Sequence, residues 1–410
     1  MTVDAPVLRV AIVGGGPGGL ATAIALSKIP NVEVKIYEQA TILREVGAGI
    51  NIGTNSWNVL GLLGVADSPT TGHPEWTVLN MNGRSGEELH RRERTPDPSI
   101  KRPIIRTQRT VLQSTLLAHV PPETIQLSNK LDRLVDAGDK GLELHFKDGT
   151  SAQADLVVGA DGIHSLVRDT AWPKLRHRLH RHHNLANTAT CRSRPGPRPA
   201  LPAHGLVALP TTHVYFSPVG AGLWEIAARA YHDPATHRAS KASWGVPVAN
   251  AHVESHFSDL LPDIRAALRR VPEGGWREFA AFAGPELTKL TAWDHRVVLV
   301  GDASHALSGA FGSGAGFAME DGWVLARALE HVRNERGRAL PLFERIRLPY
   351  YSHMQQAGRP ARLEEIGEPS YDDRLWGKLS TDGGEDMSWI YMNDIGDVWA
   401  DVLGRLDDTS

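Results

Sequence analysis

The chain of 410 residues has almost no cysteine, because Cys191 stands alone. An intramolecular disulfide is therefore impossible and a thiolate metal cluster is excluded, so any redox chemistry must come from a bound cofactor. No apolar stretch reaches the roughly 20 residues that span a bilayer, and the first residues run into an apolar strand without the layout of a signal peptide. We expect a cytoplasmic protein that needs neither a metal nor a membrane.

Excess charge of one sign is also lacking. The net charge is −3, and charged residues make up 22% of the chain. Proteins that bind nucleic acid or anionic membranes usually carry a strong basic excess, so neither is expected as the main partner. The length exceeds that of a usual single core, which favours two joined lobes. We find no internal repeats.

Glycine, by contrast, is abundant and ordered into motifs. Gly14, Gly16 and Gly19 satisfy G-x-G-x-x-G between an apolar strand at 7–13 and a helix. The first glycine permits a tight turn, the second lets the backbone approach a pyrophosphate, and the third allows close helix packing. Glu38 closes the next strand, about 20 residues on, where a carboxylate can accept ribose hydroxyls. The pattern predicts a dinucleotide site in a βαβ unit, with a purely structural turn as the alternative.

A second glycine-rich segment lies far along the chain, at 299–321. Asp302 follows an apolar run, and glycines then lead into a helix expected to begin near Ser313 and Gly314. Free N–H groups at the start of that helix would stabilise negative charge at the pyrimidine end of a reduced flavin. Two separated signatures suggest one long cofactor held at both ends, and FAD is long enough. The alternative for Asp302 is a helix cap.

A third motif, DLVVGADGIHSLVR at 155–168, lies between these two. With the segment 44–50, Arg109 in QRTVLQSTLL and the motif around Asp302, it makes the chain resemble the group A flavoprotein aromatic hydroxylases, in the salicylate-hydroxylase-like branch common in fungal metabolism. The combination in this order is specific to that family, whereas no single motif is.

The resemblance implies an α/β fold. A Rossmann-like FAD-binding domain of the glutathione-reductase type would carry an inserted β-rich substrate domain and C-terminal helices. Residues 1–170 and 286–350 would form the FAD-binding domain, 171–285 the substrate lobe and 351–410 a helical tail. Within that tail, residues 385–403 could form one amphipathic helix.

The resemblance also implies which residues hold the cofactor. Glu38 would bind the adenosine ribose, Ala48 and Gly49 would run beside the flavin, and Arg109 would contact the FAD. Arg44 matches a position that can help to bind the nicotinamide cofactor in relatives. A solvated surface arginine is an equal alternative for Arg44.

Three further cofactor residues follow from the same resemblance. Asp161 would support FAD, while its motif helps to bind NAD(P)H. Asp302 and Ala315 would hold the ribityl-pyrophosphate and the edge of the flavin ring.

The substrate side matches less well. Relatives carry an arginine and a tyrosine there, for which Arg192 and Tyr215 are the nearest candidates. The segment 172–210 is rich in His, Arg and Pro and has no apolar periodicity, so we expect it to be irregular and loosely ordered. A surface arginine and a core tyrosine are the alternatives. His164, His213 and His305 are isolated, and we assign none of them a catalytic role.

The function implied by the resemblance is an FAD-dependent monooxygenase. NAD(P)H reduces the flavin, oxygen adds at flavin C4a, and the distal oxygen of the hydroperoxide passes to a small phenolic substrate, as in secondary metabolism. The partners are then a small aromatic and molecular oxygen, and the protein is a monomer or homodimer. Two alternatives remain open: an epoxidase or oxidase on the same core, and a flavin-binding protein with a degenerate substrate lobe and little turnover.

Overall fold

The computed structural model describes residues 6–43, 49–68, 71–95, 101–175, 180–191, 204–209, 212–231, 245–306, 313–357 and 388–407. The strands in these ranges are β1 (Leu8–Val13), β2 (Val32–Tyr37), β3 (Gly49–Ile52), β4 (His73–Pro74), β5 (Thr77–Asn82), β6 (Glu88–Glu93), β7 (Ile105–Gln108), β8 (Ile125–Gln126), β9 (Leu131–Asp136), β10 (Leu142–Phe146), β11 (Ser151–Ala154), β12 (Leu156–Gly159), β13 (His180–Cys191), β14 (Gly205–Ala208), β15 (Thr212–Pro218), β16 (Trp224–Tyr231), β17 (Val246–Val248), β18 (Trp276–Ala283), β19 (Thr291–Ala292) and β20 (Val297–Leu299).

The α-helices in the same ranges are α1 (Pro17–Leu26), α2 (Thr54–Leu63), α3 (Arg109–Leu117), α4 (Leu166–Ala171), α5 (Asn250–Ser255), α6 (Pro262–Arg269), α7 (Asp302–His305), α8 (Gly314–His331), α9 (Arg336–Ala357), α10 (Ser388–Tyr391) and α11 (Ile395–Asp407). Short 3-10 helices lie at Gly138–Lys140 and Pro173–Leu175. Within this described part of the chain, no helix is long and apolar enough to cross a bilayer.

The first large sheet has the strand order β19-β20-β12-β1-β2-β8. Strand β1 runs parallel to β2 and β12, and β12 runs parallel to β20. Strands buried on both faces read as continuous apolar runs, which explains why β1, β12 and β20 were visible in the sequence. The predicted βαβ unit is confirmed as β1, α1 and β2. The carboxyl ends of β1, β12 and β20 therefore lie along the same edge of the sheet.

The second large sheet has the order β17-β18-β13-β16-β15-β14-β5-β6. Its strands β15 and β16 alternate between an apolar face and a polar face. The apolar face, which includes Phe216 and Ile226, packs in one core cluster with Val253 of α5 and Ile264 of α6. The predicted β-rich region is confirmed. Strands β5 and β6 come from an earlier part of the chain, and the four-part division of the sequence stays a prediction.

The expectation of irregular structure across 172–210 is wrong for residues 180–191. These residues form β13, which pairs antiparallel with β16 on one side and with β18 on the other. A strand inside a sheet is stabilised by the hydrogen bonds of its neighbours, so it can lack an apolar pattern of its own. Residues 192–203 lie outside the described ranges.

The helix expected at 385–403 is also corrected, because two helices occupy this region, α10 and α11. Between them, Asp394 Oδ1 accepts a hydrogen bond from Gly396 N at 2.9 Å. A carboxylate in this position satisfies one of the free N–H groups at the start of a helix, so α11 begins anew.

Helices α1 and α8 cross so closely that their backbones are in contact. A Cβ atom on Gly322 would lie 2.5 Å from Thr22 Oγ1 and 2.6 Å from Thr22 N. Thr22 itself is buried and donates to Gly18 O at 2.7 Å. This contact fixes the distance between the helices that start at the two glycine-rich motifs.

We expect Gly322→Ala to lower the free energy of unfolding by about 1–3 kcal/mol, since the added methyl group must displace backbone. The helix propensity of alanine acts in the opposite direction by up to about 1 kcal/mol. Gly404→Ala is the matched control, because a Cβ on Gly404 of α11 meets no atom within 4 Å. Urea unfolding should show a lower free energy of unfolding for Gly322→Ala but not for Gly404→Ala. Equal stability of the two variants would contradict the packing argument.

Candidate functional site

The first glycine motif forms an open turn at the end of β1. Gly14 has φ +109°, and a Cβ there would lie 2.3 Å from Ala160 O. A Cβ on Gly19 would lie 2.0 Å from Gly14 O, whereas one on Gly16 would meet nothing within 4 Å. Helix α1 begins with Pro17 and has no side-chain cap. The turn therefore presents exposed backbone and free N–H groups, which is the arrangement that binds a pyrophosphate.

Glu38 fixes this turn from the end of β2. Its Oε2 accepts a hydrogen bond from Gly15 N at 2.6 Å, and its Oε1 accepts one from Ala40 N at 2.8 Å. Each carboxylate oxygen keeps a second lone pair, so both can still accept a ribose hydroxyl. This placement fits the predicted role of Glu38, which stays a prediction.

Asp161 lies beside Gly14 at the end of β12. Its carboxylate accepts hydrogen bonds from Ser165 Oγ and, at 3.1 Å, from Val167 N. Burial raises the pKa of this carboxyl group. Asp161 thus anchors the start of α4, and its support of the cofactor would act through the backbone that it holds.

The second glycine motif meets the first at the same edge of the sheet. Asp302 is exposed at the start of α7, and Gly301 before it has φ +60°. Gly301 N donates to Asp321 Oδ2 of α8 at 2.8 Å. Buried Arg168 of α4 donates to Ala303 O at 3.1 Å, which ties this turn to the Asp161 motif as well.

The predicted helix start near Ser313 is confirmed, because α8 begins at Gly314. Ser313 makes no side-chain cap, and a Cβ on Gly314 would meet nothing within 4 Å. Ala315 follows, half-buried, in the first turn. The first N–H groups of α8 are therefore available to a ligand.

Two further elements border the same space. Arg109 is half-buried at the start of α3, and Gln113 of that helix donates to Gly15 O at 3.4 Å. Asn55 of α2 is fully buried, its Nδ2 has no hydrogen-bond partner, and it lies 3.1 Å from the Cβ position of Gly316. A buried amide without a partner is costly unless a ligand satisfies it. The open turn, the uncapped helices and this amide fit FAD.

A buried ionic cluster supports α8 from behind. Arg347 Nε lies 2.7 Å from Asp321 Oδ1, and Arg347 Nη1 lies 2.9 Å from Glu320 Oε2. Burial disfavours the charged form of Glu320, and the single guanidinium of Arg347 cannot neutralise two carboxylates. The pKa of Glu320 is therefore raised to about 7. The ring of His305 stacks on that of Tyr351, with 3.5 Å between the ring centres. Burial lowers the pKa of His305 to about 4.

The second large sheet contacts strand β3 through Glu225 of β16. Glu225 Oε1 accepts a hydrogen bond from Gly49 N at 2.7 Å, and Glu225 Oε2 lies 2.6 Å from Arg106 Nη2. The Arg106 guanidinium lies 5.2 Å from the centre of the Tyr215 ring. Tyr215 Oη donates to Glu75 Oε2 at 3.4 Å. The structure thus brings Gly49 and Tyr215 together.

Sequence reasoning missed Glu225, Arg106 and Glu75. A signal existed for Glu225, since it is a charged residue within an apolar strand of alternating pattern, WEIAARA. Three of the predicted site residues, Arg44, Ala48 and Arg192, lie outside the described ranges. In the part of the chain that the structure describes, no group of three His, Cys, Asp or Glu side chains could hold a metal ion.

The chain is similar to known proteins in both sequence and fold. The model of the FAD binding domain family matches residues 7–349. The chain is 30% identical to the 3-amino-4-hydroxybenzoate 2-monooxygenase PtnB3 of Streptomyces platensis, over 93% of this chain and 95% of that one. It is 27% identical to a salicylate hydroxylase of Pseudomonas putida, over 97% and 95%. The structure of a salicylate hydroxylase substrate complex has a similar fold, with a TM-score of 0.77, 22% identity and coverage of 96% and 97%.

We expect Glu38→Ala and Asp302→Ala each to weaken FAD binding by about 10- to 150-fold, since each removes charge-assisted hydrogen bonds worth roughly 1.5–3 kcal/mol. Titration of the apoprotein with FAD, followed by flavin fluorescence, measures the change. Asp148→Ala removes an exposed turn carboxylate that bonds only Thr150 and Asn129, and it serves as the control. Dissociation constants within about twofold of wild type in both test variants would refute the assignment.

We expect the free energy of unfolding to fall as the pH rises through about 7, because Glu320 has a folded pKa of about 7 against an ordinary value of 4.5. The raised pKa means that the stabilisation is complete below pH 4.5 and is lost above the folded value, by up to roughly 3 kcal/mol. Glu320→Gln should remove this slope, whereas Glu335→Gln on the surface should keep it. Identical pH profiles for wild type and Glu320→Gln would show that folding does not change the pKa of Glu320, and this would contradict the prediction.

Proposed function

This chain belongs to the FAD binding domain family, and from that premise we propose that it hydroxylates a small phenolic acid with NAD(P)H and molecular oxygen. The observation that carries the proposal is the contact of Glu225 with Gly49. Through this contact, the polar face of the second large sheet adjoins β3, the strand that is expected to run beside the flavin.

The cofactor would be held by residues of both glycine motifs. The turn at Gly16, the carboxylate of Glu38, Asp302 and the start of α8 surround the open cradle. FAD bound there would supply reduction by NAD(P)H and transfer of one oxygen atom from molecular oxygen to the substrate. The protein contributes binding, orientation and exclusion of water.

The wall of the proposed substrate site is the polar face of β15 and β16. Along β16, Glu225, Ala227 and Arg229 point to this face, while Ile226 and Ala228 point into the apolar core. Arg229 lies four residues beyond Glu225, or about 13 Å at a rise of roughly 3.3 Å per residue. Ala227 between them is small and lies opposite Tyr215 in the strand register. We assign the aromatic ring of the substrate to the position between the two charged ends.

The charges around Tyr215 favour an anionic substrate. Three arginines, Arg92, Arg94 and Arg106, face the two carboxylates Glu75 and Glu225 at distances of 2.6–3.6 Å. Guanidinium groups therefore lie beside the ring site. Arg229, opposite His213 in the register, adds a further guanidinium at the outer end. A guanidinium binds a carboxylate in bidentate fashion, so we assign the acid group of the substrate to this end.

We expect salicylate to accelerate NAD(P)H oxidation by the FAD-loaded protein and to be converted to a hydroxylated product. Phenol, which lacks the carboxylate, should bind about 10- to 100-fold more weakly. Arg229→Met should remove this preference, while Arg133→Met, at an exposed position of β9, should retain it. Slow oxidation that releases peroxide at the same rate with or without any hydroxybenzoate would instead identify an oxidase.

A further inference from the structure

One carboxylate of the second large sheet contacts two strands of a different sheet. Glu225 of β16 is buried, with 1% of its surface exposed. Its Oε1 accepts a hydrogen bond from Gly49 N at 2.7 Å, and its Oε2 accepts from Arg106 Nε at 3.1 Å and from Arg106 Nη2 at 2.6 Å. Gly49 lies on β3 and Arg106 on β7, which are neighbours in the three-stranded sheet β3-β7-β4. Glu225 therefore holds both strands at once.

The contact is tight on the side of Gly49. A Cβ atom there would lie 2.4 Å from Glu225 Oε2 and 3.0 Å from Arg106 Nε. The carboxylate and the guanidinium thus pack directly against the Gly49 Cα atom. Because this space is filled, a displacement of the Glu225 side chain must move the start of β3.

We propose that Glu225 is a positioning residue for FAD and that it acts through the backbone of Gly49. Strand β3 is expected to run beside the flavin from Gly49 onward. Strand β7 leads into α3, which begins at Arg109, and Arg109 is expected to contact the FAD. A side chain of the second large sheet would then set the position of a cofactor that the first sheet binds. This inference goes beyond the proposed function, since it holds whichever aromatic is the substrate.

The alternative is that the Arg106–Glu225 pair only stabilises the fold. A buried ion pair contributes little net stability, because the loss of hydration offsets the attraction between the charges. Burial acts against the charged form of Arg106, but the Glu225 carboxylate, together with Tyr215 and Glu75, raises the pKa of Arg106 above its ordinary value. The three hydrogen bonds instead give the carboxylate one orientation, with Oε1 directed at Gly49 N.

Arg106 and Gly49 both donate hydrogen bonds, so Glu225 must offer an acceptor in two directions. An amide has one acceptor and one donor end, and Glu225→Gln therefore cannot satisfy both neighbours. With its oxygen toward Arg106, its NH2 group opposes Gly49 N. With its oxygen toward Gly49, the NH2 group opposes the guanidinium. This nearly isosteric change is expected to disturb the start of β3, and removal of Arg106 is expected to relieve the conflict.

The test measures the FAD dissociation constant and the visible circular dichroism of the bound flavin, which reports the surroundings of its ring. We expect Glu225→Gln to weaken FAD binding by about tenfold and to alter the dichroism, since the Gly49 N–H loses its acceptor. Addition of Arg106→Met should restore both quantities to their wild-type values, because the amide oxygen can then accept from Gly49 N. A double variant that is no better than Glu225→Gln would overturn the proposal.

A second double variant separates position from stability. Glu225→Met combined with Arg106→Met replaces the buried pair by apolar side chains, so the urea unfolding midpoint should stay close to that of wild type. Gly49 N has no side-chain acceptor in this variant, so FAD binding should still weaken by about tenfold and the dichroism should still change. Wild-type FAD affinity and dichroism in this variant would overturn the proposal.

Glu254→Met combined with Arg269→Met is the matched control. Arg269 Nε donates to Glu254 Oε2 at 2.8 Å, and this pair joins α5 to α6, the helices that cover the apolar face of the same sheet. The control should keep the FAD affinity and the dichroism of wild type. A weakened affinity in the control would show that loss of any Arg–Glu pair around this sheet has the effect, and it would count against a specific role of Glu225.

Hydrogen exchange in the FAD-loaded wild type tests the contact without any substitution. We expect the amide of Gly49 to exchange slowly, since it is bonded to a buried carboxylate, and mass spectrometry that resolves single residues measures this rate. Exchange at the rate of an exposed amide would overturn the proposal. These measurements need no aromatic substrate, so a failure of salicylate to be hydroxylated would refute the proposed function and leave the role of Glu225 to be decided by FAD binding.

Discussion

The carboxylate of Asp321 is the group on which the cofactor side of the molecule depends. One oxygen accepts the backbone N–H of Gly301, at the turn that presents Asp302, and the other pairs with Arg347 of α9. Asp321 lies on α8, whose first turn forms the opposite end of the same cradle. One buried side chain therefore fixes the position of the turn relative to the helix. The backbone contact between α8 and α1 extends this rigidity to the first glycine motif.

The cofactor side could be predicted from the sequence because its determinants are local. Gly14, Gly16 and Gly19 act within one turn, and Glu38 reaches that turn from the next strand. The start of α8 could be recognised in the sequence because the glycine-rich segment stops where the apolar periodicity of the helix begins. Local sequence carries this information because each of these groups acts through backbone that is near in sequence.

The substrate side could not be predicted to the same extent, because its determinants are distant in sequence. Glu225 accepts a hydrogen bond from Gly49, although the two residues are 176 positions apart in the sequence. His204 lies within hydrogen-bonding distance of His73, which is 131 positions away. Strand β13 is ordered by β16 and β18 rather than by its own pattern, so its segment looked irregular. His204 belongs to that same segment and was passed over for this reason. Tyr215 was identified only through the family resemblance, and its neighbours came from the structure.

The parallel pairing of β5 with β14 has an evolutionary consequence. Strands β5 and β6 precede the Asp161 motif in the sequence, yet they form the edge of the second large sheet, whose polar face is the proposed wall of the substrate site. A recombination event that exchanged only the later insertion would separate β14 from this edge and expose a row of unpaired backbone groups, which promotes aggregation. New substrate ranges in such a scaffold are therefore expected to arise by point substitution along the polar face rather than by exchange of the inserted region as a module.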